Sequence, residues 1–180
     1  MRITENRVLA LIVCVACALV SVLGIGGFKL KTKYDSVTDV FVNGSDAQHN
    51  IEYYLYRGTT YASDLAYEAM QYLDDDAEAE EVLRLCEGLS AKEGPAKGRY
   101  DDFVLLTNSV ERLFSTLQAE GYADETNIEM AYYDYQSVCD MIKRDDYHAA
   151  AAEYNELTSA FPANLIAGLW GAGEAEDFGR

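Results

Sequence analysis

The chain has 180 residues, of which 31 are acidic and 14 are basic, so its formal net charge is -17. A surface this acidic argues against binding of nucleic acid or anionic lipid by the domain itself, and it favours a soluble, self-repelling exterior. The length fits one domain behind an N-terminal segment.

That N-terminal segment is the first predicted element. The run from Val8 to Phe28 contains no charged residue, and its 21 residues, at about 1.5 Å each in a helix, reach the roughly 30 Å of a bilayer's hydrocarbon. We predict a short tail at 1-7, a transmembrane helix at 8-28 and a helical domain at 29-180. The alternatives are a signal peptide cleaved near Ala16-Cys17-Ala18 and a lipoprotein-type Cys17, but the apolar run continues well past Ala18.

The predicted location is therefore the cell membrane, with a single-pass anchor. The side on which the domain lies stays open, because basic residues flank both ends of the run. They are Arg2 and Arg7 before it, and Lys29, Lys31 and Lys33 after it.

Small residues line one face of this predicted helix, and they allow a second helix to approach closely in lipid. The sequence therefore permits a homo-oligomer formed through the transmembrane helix. The simpler interpretation is that small residues are common in membrane helices. The residues concerned are Ala10, Cys14, Cys17, Ser21 and Gly24.

The rest of the chain predicts an all-α domain, a long antiparallel bundle of about four helices. Only Pro95 and Pro162 interrupt it, and no sustained period-two alternation indicates strands. The first helix continues from the membrane towards Leu55 and weakens at Asn43-Gly44-Ser45. The others are predicted at Tyr61 to Leu89, from about Asp101 to Gly121, and from Asp124 to Ala160, followed by a short last helix that Asn164 caps and that ends near Phe178.

Four short patterns near the C-terminus resemble the signature of the LemA family. Tyr147-His148 and Tyr154-Asn155 stand for its repeated Tyr-Asn pair, with His148 in place of the first Asn. Phe161-Pro162-Ala163-Asn164 follows, then Ile166-Ala167 and Phe178, and Arg144 stands at the family's arginine position. The resemblance is concentrated in the last fifth of the domain. It implies a small, bacterial, membrane-anchored helical protein without a settled biochemical activity, and this chain would be a divergent member.

The signature residues allow two interpretations. They form either the closing joint of the bundle or an end of it that binds a partner. Helix ending at Pro162 and capping by Asn164 need no ligand, which favours the joint. The full set is Arg144, Tyr147, Tyr154, Asn155, Phe161, Pro162 and Asn164.

Tyrosine and acidic clusters suggest two further surfaces. Tyr53, Tyr54, Tyr56 and Tyr133 serve either in packing or in a protein-binding surface. The acidic run favours a solvated helix face over a weak divalent-cation surface, because it lacks the glycine turn of a calcium loop. This run comprises Asp74, Asp75, Asp76, Glu78, Glu80 and Glu81.

No residue pattern indicates a catalytic centre, a cofactor or a metal site. His49 and His148 lack partners at ligand spacing. Cys86 and Cys139 are expected as two small buried residues, and the alternative is one disulfide between helices if the domain faces an oxidising space.

The sequence therefore predicts a non-enzymatic, membrane-anchored helical protein that acts by binding or scaffolding other proteins. The alternative is an acidic sensor domain that binds a cation or a small ligand. No partner or biological process follows from the residues.

Overall fold

The computed structural model describes residues 7–44, 50–73, 77–95 and 98–178, and every regular element in these ranges is helical. The all-α prediction is confirmed for this part of the chain. The helices are α1 (Arg7–Ser21), a π-helical turn (Val22–Gly26), α2 (Gly27–Asn43), α3 (Ile51–Ala69), α4 (Ala77–Ser90), α5 (Arg99–Ala119), α6 (Thr126–Lys143), α7 (Tyr147–Ser159) and α8 (Ala163–Leu169).

The first helical stretch is long and apolar enough to cross a bilayer. None of the residues in its most apolar part is buried against the rest of the protein. Leu11, Val20 and Ile25 are among its exposed side chains. A core helix would bury these side chains, whereas a membrane helix offers them to lipid. The prediction of an N-terminal helix long and apolar enough to cross a membrane is therefore confirmed.

The helices that follow pack in two groups. In the proximal group, α7 and α8 pack against α2. In the distal group, α3 packs against α4 and α6, and α4 packs against α5. Asn50 starts α3, because its Oδ1 accepts the Tyr53 N–H at 2.7 Å.

The predicted apolar stripes of α5 and α6 form much of the distal core. All of their members are buried, which confirms the period of the pattern. They are Phe103, Leu106, Val110, Leu113 and Leu117 on α5, and Ile128, Ala131, Tyr135, Val138 and Ile142 on α6.

Four predicted helix boundaries are wrong. The first helix does not continue to Leu55, since α2 ends at Asn43 and a new helix, α3, begins at Ile51. The predicted helix from Tyr61 to Leu89 is two antiparallel helices, α3 and α4, because both carry an apolar stripe that must face the same core. The predicted helix from Asp124 to Ala160 divides between α6 and α7, where the Asp145 carboxylate accepts the Tyr147 N–H at 2.9 Å. The last helix ends at Leu169 and not near Phe178, since Gly171 adopts a left-handed φ of 66°.

Candidate functional site

The chain from Ala172 to Phe178, here called the C-terminal strap, runs without helical structure beside α7. Asn155 holds its middle with two hydrogen bonds. The Asn155 side chain donates to the Ala175 carbonyl at 2.7 Å and accepts the Ala175 N–H at 2.9 Å. An amide side chain can donate and accept in this way, as a neighbouring strand would. Asn155 therefore fixes the strap to α7.

Two buried tyrosines of α7 hold the strap on either side of this point. The Tyr154 hydroxyl donates to the Ala172 carbonyl at 3.2 Å, and the Tyr147 hydroxyl donates to the Glu176 carbonyl at 2.6 Å. Burial raises the pKa of both hydroxyls, that of Tyr154 to about 12. Both therefore stay protonated at neutral pH and act as hydrogen-bond donors.

The rings of the same tyrosines connect α7 to α2. Tyr154 lies 5.5 Å from Tyr34, and Tyr147 lies 4.9 Å from Phe41 in an edge-to-face arrangement. Such aromatic pairs add to the free energy of apolar burial. Tyr147 and Tyr154 thus connect α7 both to α2 and to the strap.

His148 gives the strap a further contact, at the position where the family signature has Asn. Its Nε2 lies 2.6 Å from the Ile142 carbonyl oxygen, and its Nδ1 lies 3.3 Å from the Asp177 carboxylate. The side chain therefore bridges the last turn of α6 and the strap. Sequence spacing gave no sign of this, because Asp177 is distant along the chain.

Glu176 joins the strap to the distal group. Its carboxylate accepts the backbone N–H groups of Gly98, Arg99 and Tyr100 at 3.0–3.3 Å. These groups begin α5, where a helix has unpaired donors and a positive dipole end. Glu176 therefore caps α5 from a position 76 to 78 residues later in the chain.

Phe178 anchors the end of the strap in the core. Its ring is buried and lies 5.3 Å from Phe41, 5.6 Å from Tyr100 and 6.4 Å from Phe103. These three rings belong to α2 and α5. Phe178 thus closes the contact between the proximal and distal groups.

An ion pair with a buried arginine and a partly exposed glutamate lies beside this contact. The Arg99 guanidinium, whose side chain is 3% exposed, meets the Glu52 carboxylate through two hydrogen bonds of 2.6 and 2.8 Å. Arg99 also donates to the Gly94 carbonyl at 2.8 Å and lies over the Phe41 ring, 5.6 Å from its centroid. Bidentate pairing and aromatic stacking suit arginine and not lysine. Glu52 and Arg99 therefore tie α3 to α5 at the joint.

The structure separates the seven predicted site residues into two sets. Tyr147, Tyr154 and Asn155 meet at the strap and form a joint. Arg144 is exposed and pairs with Asp140 at 3.4 Å. The other three, Phe161, Pro162 and Asn164, lie exposed where α7 ends and α8 begins.

The prediction that Asn164 caps the last helix is wrong. Pro162 occupies the cap position of α8, and the Asn164 side chain accepts only the N–H of Leu165, at 2.7 Å. Asn164 already lies inside the first turn of α8, so its side chain does not occupy the position from which a cap residue accepts the first N–H groups. The helix-ending role predicted for Pro162 agrees with α7 ending at Ser159.

We expect Asn155→Ala to lower the free energy of unfolding by about 1–3 kcal/mol, because it leaves the Ala175 N–H and carbonyl without their partner. Urea unfolding of the protein in detergent, followed by circular dichroism, measures the change. Asn164→Ala is the matched control and should change the midpoint little, since its side chain is exposed. Equal effects of the two substitutions would contradict the clamp.

Helix α8 packs against α2 and the π-helical turn. The Trp170 indole N–H, just after α8, donates to the Leu23 carbonyl at 3.0 Å. A Cβ at Gly27 would lie 1.9 Å from Trp170 Nε1, so this approach needs glycine. These contacts therefore fix the position of α8 along the apolar helix.

The tyrosine surface differs from the predicted one. Tyr53, Tyr56 and Tyr67 are exposed, and with Thr60 they recur at helical spacing along one face of α3; we call these four residues the tyrosine stripe. Tyr54 is half-buried and packs against the core. Tyr133 lies on α6 and contacts Tyr132, which stacks on Phe114 of α5. Tyr67 therefore belongs to this face although the sequence did not indicate it, and Tyr54 and Tyr133, which were predicted with Tyr53 and Tyr56, lie elsewhere.

Two surface grooves flank the Tyr67 end of this stripe. The groove towards α4 has a volume of about 440 Å3, and the groove towards α6 has a volume of about 310 Å3. Tyr67 and Asp64 line both grooves. The walls also carry the carboxylates of Glu87, Glu68 and Asp134.

Comparison with known proteins gave no relative. No protein-family model, curated protein or solved structure matches this chain. The resemblance to the LemA signature therefore depends on the quoted residues alone.

Within the described ranges, no group of three or more His, Cys, Asp or Glu residues is arranged to hold a metal ion. His49 and Asp74, Asp75 and Asp76 lie outside those ranges. From the rest of the acidic run, Glu81 pairs with Arg84 at 2.6 Å, and Glu78 accepts the Thr116 hydroxyl at 2.7 Å. These two carboxylates therefore serve contacts within the protein.

Cys86 and Cys139 are buried and are not bonded to each other. Burial raises the pKa of both thiols, which keeps them protonated at neutral pH. This agrees with the expectation of two small buried residues. On the apolar helix, Cys14 and Cys17 are exposed, and self-association through their face stays a prediction.

Proposed function

We propose that this chain is a non-enzymatic, single-pass membrane protein of the LemA type, whose helical domain binds another protein at the bacterial cell membrane. The exposed apolar helix supports the anchor, and the joint built by Tyr147, Tyr154 and Asn155 gives the signature residues a role in the fold. The proposal depends chiefly on one observation, the tyrosine stripe of α3 with a groove on each side.

Tyrosine is enriched at protein interfaces because it buries a large area with little loss of side-chain freedom, and its hydroxyl still finds a partner. Tyr56 and Tyr67 are 70% and 60% exposed, so packing within this domain leaves most of their area open, whereas Tyr53, at 37%, also contacts the ring of Tyr54. In this proposal a second protein inserts side chains into the grooves beside Tyr67. The carboxylates along the groove walls favour a partner with basic side chains next to its apolar anchors.

Site-specific photocrosslinking in the native host's membranes tests this proposal. A benzophenone amino acid replaces Thr60, at the centre of the stripe, in the full-length protein. We expect one discrete adduct with a second protein. Tyr56→Ala with Tyr67→Ala should abolish it, because truncating an interface anchor costs about 2 kcal/mol or more, roughly 30-fold in Kd.

Tyr133 supplies the matched control, since it is 59% exposed against 60% for Tyr67 but lies on α6. Tyr133→Ala should leave the adduct from position 60 unchanged. An adduct that survives the loss of Tyr56 and Tyr67 would contradict the proposal, and so would the absence of any adduct at normal expression.

A further inference from the structure

The uncharged segment around α8 lies next to the apolar helix. From Leu157 to Gly173 the chain has no Asp, Glu, Lys, Arg or His, although its net charge is -17. Phe161, Leu165 and Leu169 recur every four residues in this segment, and they are 79%, 56% and 68% exposed. This part of the surface thus differs from the acidic exterior of the domain.

The hydrogen bond of Trp170 fixes the position of this segment along the apolar helix, and so its depth in a bilayer that this helix crosses. Its acceptor, the carbonyl of Leu23, lies five residues before Phe28, the end of the uncharged run. Five helical residues span about 7.5 Å. If the run from Val8 to Phe28 fills the hydrocarbon layer, Trp170 lies about that far inside its edge.

The opposite arrangement, with Trp170 in water, does not fit the length of the anchor. Leu23 would then be in water too, and only Val8 to Val22 would remain within the bilayer. Those 15 residues span about 22 Å, which is short of the roughly 30 Å of hydrocarbon.

The chemistry of the segment suits the border between lipid chains and headgroups. Tryptophan is enriched at that border, and interfacial apolar faces lie about 5–10 Å deep. Lys29 is the first charged residue after the run and stands where phosphate groups begin. A depth of about 7.5 Å for Trp170 falls within that interval.

We propose that the α8 segment is a second membrane contact, in which Phe161, Leu165, Leu169 and Trp170 insert into the interfacial layer of the bilayer beside the anchor. The ligand is a lipid surface, held by apolar burial and not by charge. This inference rests on the membrane anchor of the proposed function. This second contact fixes the orientation of the helical domain on the membrane. With the transmembrane helix alone, the domain would be free to tilt.

Trp170 is the only tryptophan of the chain, so it serves as a native reporter. Full-length protein is reconstituted into phosphatidylcholine vesicles that carry bromine either near the headgroup or near the bilayer centre. We expect a blue-shifted Trp170 emission that shallow bromine quenches more strongly than deep bromine, and that aqueous iodide quenches weakly.

Two variants move the reporter. Leu19→Trp with Trp170→Phe places it near the midpoint of the run from Val8 to Phe28, where deep bromine should quench it. Tyr133→Trp with Trp170→Phe places it on the exposed face of α6, where iodide alone should quench it. Circular dichroism of each variant checks that the helices are kept.

Each result separates the anchor from the second contact. If the tryptophan at position 19 is quenched and Trp170 is not, the anchor stands and the second contact is overturned. If the tryptophan at position 19 is not quenched, the anchor fails, and the inference fails with it. Shielding of Trp170 from both bromine and iodide would mean that a second copy covers the segment, which also overturns the inference.

Discussion

Glu52→Ala is expected to lower the free energy of unfolding by about 3–5 kcal/mol, one of the two largest effects that we predict for single substitutions in this chain. The Arg99 side chain is 3% exposed, and its guanidinium makes two hydrogen bonds of 2.6 and 2.8 Å with Glu52. Without that carboxylate a positive charge stays buried, with one backbone carbonyl and an aromatic ring as its remaining contacts. Urea unfolding of the protein in detergent measures the loss.

Two comparisons show whether the buried charge is the cause. Adding Arg99→Met to Glu52→Ala should recover part of the loss, because no charge then remains buried. Glu81→Ala removes the partner of the exposed Arg84 and should leave the unfolding midpoint where it is. A Glu52→Ala variant as stable as the parent would show that the pair does not hold the joint.

Phe178→Ala should have a comparable effect, about 3–5 kcal/mol, because it leaves a cavity where the proximal and distal groups meet. Its ring is 1% exposed and contacts Phe41, Tyr100 and Phe103. The strap should detach as a unit, so amide hydrogen exchange should rise at Ala175 and at the start of α5 that Glu176 caps.

Phe161 is the matched control, since it also belongs to the family signature but is 79% exposed. Phe161→Ala should change the stability in detergent by no more than about 0.5 kcal/mol. If the two substitutions had equal effects, the strap would not be the closing element of the fold.

The sequence predicted those parts of the fold that local periodicity determines. The stripe of α5 from Phe103 to Leu117 and the stripe of α6 from Ile128 to Ile142 are buried as their spacing indicated. The weakening predicted at Asn43 and Gly44 coincides with the end of α2, where Gly44 adopts a φ of 81°. Each of these features depends on residues within a few turns of one another.

The turn between α3 and α4 was not predicted, because residues 70–76 contain no Gly or Pro. Met70, Gln71 and Leu73 favour a helix, although Asp74, Asp75 and Asp76 do not. The packing of α3 on α6 and of α4 on α5 decides where the helices are divided. The contacts that form the joint were not predicted, for a related reason. Arg99 and Glu52 are 47 residues apart, and Glu176 caps a helix that starts more than 70 residues earlier. Such pairs leave no periodic signal in a single sequence.

For the candidate site, the sequence named the right segment but not the role of each residue. The signature grouped Asn155 with Asn164, and Phe161 with Phe178. In the structure, one member of each pair holds the joint and the other is exposed. Residue type alone does not separate them, because the difference arises from the position of the strap beside α7.

The closing strap also determines the order in which the protein is completed during synthesis. Phe41 is translated early, yet Tyr147 and Phe178, which cover it, follow more than 100 residues later. At about 5–20 residues per second, the apolar side of α2 waits roughly 5–30 s for its cover. During that interval the nascent chain presents an unpaired aromatic face close to the membrane, which is where a chaperone or the insertion machinery would have to protect it.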